Sequence, residues 1–145
     1  MTKSLDLLKI STSKTNQEAI DGKTTGLIFL NEFVTWRTKH FGFTQNLTSI
    51  ISDYERPFLF VDEQIKGIFK SFYRKHLFEQ IGEKVIMKDI FIFTTTFGIL
   101  GQIFNQIVLT NYMRKFLIER NKIIKEFTET NKWKLVLKDS PCFPY

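Results

Sequence analysis

The chain has 145 residues, which suffice for one domain with a modest core and exclude two independent domains. Its 21 Lys and Arg residues outnumber its 15 Asp and Glu residues, and the net charge of +6 is compatible with nucleic acid, an anionic membrane surface or an acidic partner. The single cysteine, Cys142, excludes an internal disulfide and a cysteine-based zinc site.

The basic residues are dispersed along the chain, and lysine is far more common than arginine. Arginine is the residue that recognises bases and phosphates through paired hydrogen bonds, so this composition argues against sequence-specific nucleic-acid binding. We therefore expect no nucleic-acid partner. His40 and His76 lack the spacing of paired metal ligands, so we also expect no metal site.

Residues 1–25 are polar and contain few apolar side chains. Such a segment buries too little apolar surface to fold alone. We predict an extended polar N-terminal arm that lies on a partner.

Residues 26–84 are predicted to be an amphipathic helical region. Near its start, Leu27, Leu30 and Val34 form a short apolar stripe that Glu32 interrupts. The stripe is too short and too charged to span a bilayer. It fits a packed amphipathic helix, with a helix lying at the membrane interface as the alternative.

A clearer helical pattern follows within the same region. Apolar residues recur at helical spacing at Val61, Ile65, Ile68, Phe69 and Phe72. Lys66, Lys70 and Arg74 are spaced four residues apart and would share one helix face. We predict that this face contacts anionic lipid, with a solvated charged face as the alternative. We expect His76 to be a packing residue rather than a ligand.

A transmembrane helix is predicted over residues 88–113. The 24 residues from 90 to 113 carry no formal charge and include no proline. As a helix they would be about 36 Å long, against about 30 Å for the hydrocarbon core of a bilayer. Lys88 at one end and Arg114 at the other supply interfacial anchors. The alternative is a long helix in the core of a domain outside the membrane.

Small and polar side chains fall on one side of this predicted helix. They are Thr94, Gly98, Gly101, Gln102 and Asn105. In a bilayer such residues gather where one helix packs on another, because small side chains allow close approach and amides bond across the contact. The pattern predicts a helix-packing face within a larger membrane assembly. An ion path along it is disfavoured, because the segment has no charged residue.

The C-terminal part of the chain is predicted to lie outside the membrane. Residues 114–134 keep helical periodicity and predict a charged amphipathic helix. Residues 135–145 contain Pro141 and Pro144, which favour an extended tail. The predicted fold class is all-α: a single transmembrane helix continues into an amphipathic helix, and amphipathic helices and the polar arm precede it.

No catalytic motif is present in the sequence. The isolated glycines do not form a phosphate-binding loop, and residues 76–80 (HLFEQ) are not the zinc-binding HExxH pattern. We therefore expect a protein that is not an enzyme, with no catalytic residues, no cofactor and no small-molecule substrate.

In organisation the chain resembles the small supernumerary subunits of mitochondrial inner-membrane respiratory complexes and ATP synthases. The resemblance covers the whole chain, chiefly residues 82–134, because such subunits are short, basic and single-pass. It implies a non-catalytic accessory subunit that assembles and stabilises a multi-subunit complex in the mitochondrial inner membrane. The implied partners are other subunits and an anionic lipid such as cardiolipin.

The alternative function is a basic helical component of an organellar ribosome or another ribonucleoprotein. Net positive charge suits this role, and phosphate contacts need only dispersed lysines. The long charge-free stretch favours the membrane subunit instead.

Overall fold

The computed structural model describes residues 5–12, 16–40, 42–95 and 105–136. The main element is a six-stranded sheet in which each strand pairs antiparallel with the strand before it in the chain. The strands are β1 (Glu18–Gly22), β2 (Phe33–His40), β3 (Phe43–Glu55), β4 (Leu59–Lys66), β5 (Ser71–Ile81) and β6 (Lys84–Thr94).

Helices precede and follow the sheet in the chain. Helix α1 (Leu5–Ser11) comes before β1. After β6, a π-helical segment (Asn105–Leu109) leads into the long helix α2 (Thr110–Glu129), and the short helix α3 (Trp133–Val136) follows. Within the described ranges, no helix combines the length and the apolar character that crossing a membrane requires.

Glycine makes the tight turns between strands possible. The β5–β6 hairpin turns between Ile81 and Lys84, and Gly82 lies in this turn with a φ of 61°. Gly42 adopts a φ of 82° in the β2–β3 turn. This left-handed conformation costs glycine little because it has no Cβ, and it matches the twist of the flanking strands.

The apolar core lies on one face of the sheet. Its central cluster consists of Leu5, Ile28, Val34, Trp36, Ile51 and Phe60, none more than 6% exposed. Helix α1 contributes Leu5, and helix α2 covers the same face, since its Ile124 is 4% exposed and shares a small cavity with Leu5 and Trp36.

The all-α fold class predicted from the sequence is wrong. Residues 26–84, predicted to be amphipathic helices, contain β2 to β5 instead. The first 25 residues include helix α1 and strand β1 rather than only an extended arm. Helix α1 packs into the core of its own chain through Leu5.

The predicted transmembrane helix over residues 88–113 is also wrong. Strand β6 occupies its beginning, residues 96–104 lie outside the described residues, and the π-helical segment and α2 occupy its end. Helix α2 covers much of residues 114–134, but it packs on the sheet. The predicted extended tail, residues 135–145, begins within α3, and residues 137–145 lie outside the described residues.

Strand β6 resembled a membrane span because both of its faces are apolar near its end. Phe91 and Phe93 are half-buried on the inner face, whereas Ile90 and Ile92 are 44% and 58% exposed on the other. A strand with one solvent-exposed face normally alternates apolar and polar residues, and this alternation is missing near the end of β6. Its wealth of Ile, Phe and Thr, which favour strands, was the remaining signal.

Replacing Leu5 with alanine tests whether α1 belongs to the core. We expect Leu5→Ala to lower the free energy of unfolding by about 2–5 kcal/mol, because it leaves a cavity in the core cluster. Ile10→Ala on the same helix is the control, since Ile10 is 42% exposed, and it should cost less than about 1 kcal/mol. Urea denaturation measures both variants. Equal midpoints for the two variants would contradict the docking of α1.

Candidate functional site

A cavity of about 180 Å³, partly open to solvent, lies between α2 and the inner face of the sheet. Aromatic rings supply much of its wall: Trp36, Phe43, Phe69, Phe72, Phe91 and Phe116. The sheet, the β4–β5 connection and α2 all contribute, so the cavity exists only when the helix is docked.

Exposed apolar side chains form the rim of this cavity. Phe43 is 75% exposed at the start of β3, and Ile68 is 50% exposed in the β4–β5 connection. Holding such groups in water is unfavourable, and an apolar ligand that covers them removes their surface from water.

Strand register places the rings of the inner wall in contact. Phe72 pairs with Phe93 across the β5–β6 ladder, and Arg74 pairs with Phe91. The ring centroids of Phe72 and Phe91 are 5.0 Å apart in an edge-on arrangement, and those of Phe69 and Phe93 are 5.5 Å apart. These are the distances of favourable aromatic pairs, so the apolar wall is well packed.

Charged side chains are buried beside this wall. Asp62 on β4 pairs with Arg74 on β5, and His76 on β5 pairs with Asp89 on β6. Because side chains alternate between the faces of a sheet, these residues share the inner face. With Arg120 of α2 they form a group that we call the buried charged cluster.

Three strands and a helix meet in the buried charged cluster. Arg74 donates from Nε and Nη2 to the two oxygens of Asp62, at 2.9 Å each. His76 lies 3.1 Å from Asp62 through Nε2 and 2.5 Å from Asp89 through Nδ1. A neutral imidazole has one N–H, so both contacts are hydrogen bonds only when the ring is protonated on both nitrogens.

Arg120 connects α2 to this cluster. It is 1% exposed, and its Nη2 donates to Oδ2 of Asp89. The neighbouring Asn121 donates from Nδ2 to the same oxygen at 2.9 Å. The helix is therefore fixed to β6 by charged hydrogen bonds as well as by apolar packing.

The charges shift the pKa values of the cluster. Burial would raise the pKa of Asp62, but the charge of Arg74 and the contacts with His76 outweigh it and lower this pKa to about 2. Against the same effect of burial, the hydrogen bond to His76 and the charge of Arg120 lower the pKa of Asp89. Burial and the positive charge of Arg74 lower the pKa of Arg120 to about 10, so Arg120 stays charged at neutral pH.

The predicted lipid-binding face does not exist as one surface. Lys66 ends β4 and Lys70 precedes β5, and both are exposed. Arg74 points to the inner face and binds Asp62. The three residues would share a face on a helix, but they lie on strands and a connecting loop.

The predicted helix-packing face is not brought together on one helix either. Thr94 ends strand β6, where its hydroxyl lies 2.6 Å from that of Ser71. Asn105 begins the π-helical segment. The remaining members, Gly98, Gly101 and Gln102, lie outside the described residues.

The sequence-based prediction named Arg74 only as a lipid contact and missed the other members of the buried charged cluster as functional candidates. His76 was expected to pack, and it does stack on Phe60 with centroids 4.2 Å apart, but it also bridges two carboxylates. Alternation was the available signal, since Phe72, Arg74, His76 and Phe78 occupy every second position of β5. Tyr73 and Leu77 on the other face obscured it. Within the described ranges, no group of His, Cys, Asp and Glu side chains is arranged to hold a metal.

Solved structures share this arrangement of sheet and helices. The protein TTHA0849 from Thermus thermophilus matches with a TM-score of 0.69 at 14% identity, over 86% of this chain and 82% of that chain. The major latex-like protein 151 from Panax ginseng matches with a TM-score of 0.57 at 14% identity, over 83% of this chain and 79% of that chain. No family model and no curated protein matches the sequence.

These matches define the class of fold. The chain has a Bet v1-like, or START-like, fold: an antiparallel sheet and a long C-terminal helix with a cavity between them. At 14% identity the likeness establishes the fold alone.

This fold corrects the function predicted from the sequence. The resemblance to supernumerary subunits of respiratory complexes and ATP synthases is wrong, because the segment that carried it, residues 82–134, begins with a strand of the sheet. The roles of accessory subunit and of ribosomal component are wrong, and so are the predicted partners, other membrane subunits and anionic lipid such as cardiolipin. The predicted single-pass location in the mitochondrial inner membrane is wrong as well.

The pH dependence of stability tests the role of Asp62. Its folded pKa of about 2 lies below the ordinary 3.8, so its ionised form stabilises the fold above about pH 4 and this contribution is lost as the pH falls towards 2. We expect the loss to be on the order of 2 kcal/mol.

Asp62→Asn should therefore show a smaller fall in unfolding free energy between pH 4 and pH 2 than the wild type. The exposed Asp53 provides the control, since Asp53→Asn should keep the wild-type pH dependence. Chemical denaturation at several pH values measures both. Parallel curves for Asp62→Asn and the wild type would contradict the assignment.

Proposed function

We propose that this protein binds an apolar small molecule in the cavity between α2 and the sheet. The observation that carries the proposal is the cavity itself, with its volume of about 180 Å³ and its aromatic wall. In another protein, a cavity of about 150 Å³ lined by aliphatic and aromatic side chains takes up benzene. The space here therefore suits a ligand with at least one group of the size of an aromatic ring.

The lining has the mixture expected of a ligand site. Aromatic and aliphatic side chains stand beside hydroxyl and amide groups, among them Thr38, Gln45, Ser49 and Tyr112. Apolar surface supplies the affinity in such sites, and the few polar groups fix the orientation of the ligand. The exposed rim at Phe43 and Ile68 gives an apolar ligand further surface to cover.

The fold adds support by analogy. Bet v1-like proteins include ligand-binding proteins, although a shared fold by itself assigns no ligand. The sequence-based prediction was that the protein has no small-molecule substrate. We now propose a small molecule that is bound as a ligand and not converted.

We also propose that the protein has no catalytic role, as predicted from the sequence. The described residues that line the large cavity include no His, Cys, Asp or Glu side chain. His76, the basic group best placed among carboxylates, lines an adjoining smaller cavity of about 30 Å³ and not the large one. A general base must reach its substrate, so His76 is poorly placed for a ligand in the large cavity.

Filling the cavity tests the proposal. The neutral fluorescent probe N-phenyl-1-naphthylamine should bind the wild type with an increase in emission. Met113→Trp adds volume within the lining and should weaken binding at least about tenfold, because overfilling a cavity excludes its ligand.

Ile118→Trp is the matched control. It adds the same side chain to the same helix at a position that is 64% exposed, and it should bind the probe as the wild type does. Circular dichroism checks that both variants are folded. The cavity is not the binding site if the wild type does not increase the emission of the probe, or if a folded Met113→Trp variant binds the probe as tightly as the wild type does.

A further inference from the structure

The guanidinium group of Arg120 is only partly satisfied. Its Nε and Nη2 donate to Oδ1 of Asn121 at 3.2 and 3.0 Å, and Nη2 also donates to Asp89. The third nitrogen, Nη1, is buried and has no hydrogen-bond partner among the described residues. Leaving a buried cationic donor without an acceptor is unfavourable. We therefore expect Nη1 to donate to an acceptor that comes from outside the described residues.

The walls of the large cavity carry one sign of charge. Among the described lining residues, the charged side chains are Arg74 and Arg120, and no carboxylate lines the cavity. Asp62 lies behind this wall, where it lines the small cavity instead. A ligand in the large cavity therefore lies next to the positive charges of Arg74 and Arg120, whereas the negative charge of Asp62 is farther from it.

The two guanidinium groups of Arg74 and Arg120 are therefore the charges nearest to a ligand in the large cavity. The side chain of Arg120 is 1% exposed, and electrostatic attraction is stronger in such a poorly solvated place than in water. An anionic group of the ligand would be attracted to this wall.

We propose that the natural ligand is an amphiphile with one carboxylate, which accepts hydrogen bonds from Nη1 of Arg120 while its apolar part fills the cavity. This inference rests on the proposed function. A monoanion fits better than a dianion such as a phosphate monoester, because one partnerless nitrogen is available. A ring near the carboxylate suits the aromatic wall at Phe72 and Phe91.

A ligand pair that differs only at the polar end tests the proposal. 3-Phenylpropanoic acid and 3-phenyl-1-propanol share ring and chain, and at pH 7 only the acid is charged. Each compound displaces N-phenyl-1-naphthylamine from the wild type in a competition titration. We expect the acid to bind at least about tenfold more tightly than the alcohol, because a hydrogen bond to a charged group adds this much.

Substitution of Arg120 tests whether this residue causes the tighter binding of the acid. Arg120→Gln should bind acid and alcohol about equally. Because this variant leaves the buried Asp89 without its cation, we pair it with Arg120→Gln/Asp89→Asn, which removes both charges and should lose the preference too. Arg37→Gln is the control, since Arg37 is a half-exposed arginine outside the cavity and its loss should keep the preference.

The outcomes separate the two proposals. Equal binding of acid and alcohol to the wild type would overturn the carboxylate proposal while the cavity remains a ligand site. An acid preference that survives in the double variant, or disappears in Arg37→Gln, would also overturn it. If neither compound nor the probe binds the wild type, the proposed function itself fails.

Discussion

The buried charged cluster is the constraint on which the rest of the structure depends. Arg74, Asp62, His76, Asp89 and Arg120 form an unbroken chain of charged contacts across β4, β5 and β6 into α2. Buried charges are tolerated only when they are paired and hydrogen-bonded. A shift of one residue in the register of either ladder would move a member of this chain to the outer face and leave its partner uncompensated. The cluster therefore penalises wrong registers, whatever its net contribution to stability.

The same contacts position the cavity. Arg120 is held by Asp89, and Ile124, one turn further along α2, reaches the core around Leu5 and Trp36. These anchors fix one part of the helix close to the sheet. The preceding part, with Tyr112, Met113 and Phe116, instead borders the open space beside the aromatic wall. The cavity thus forms because one part of α2 is fixed close to the sheet, while the space between its preceding part and the sheet is not filled by side chains.

The structure and the proposed function fit together at Arg120. Its Nη2 ties α2 to β6 through Asp89, its Nε donates to Asn121 of the same helix, and Nη1 has no hydrogen-bond partner among the described residues. A group that is already ordered by structural contacts loses little conformational entropy when a ligand binds. Such a group is therefore suited to hold the polar end of a ligand, and the aromatic wall is suited to the apolar part.

The sequence by itself determined the local features: a charged amphipathic pattern in the segment that forms α2, glycines where the chain turns, and no internal disulfide. It did not determine the sheet, because both faces of β6 are apolar near Phe91 and Ile92 and no alternation marks the strand. Nor did it reveal the cluster, since Asp89 and Arg120 are 31 residues apart and each looks like an ordinary surface charge in its own segment. Only the tertiary structure decided which charges are buried, because burial depends on strand pairing and helix docking between distant parts of the chain.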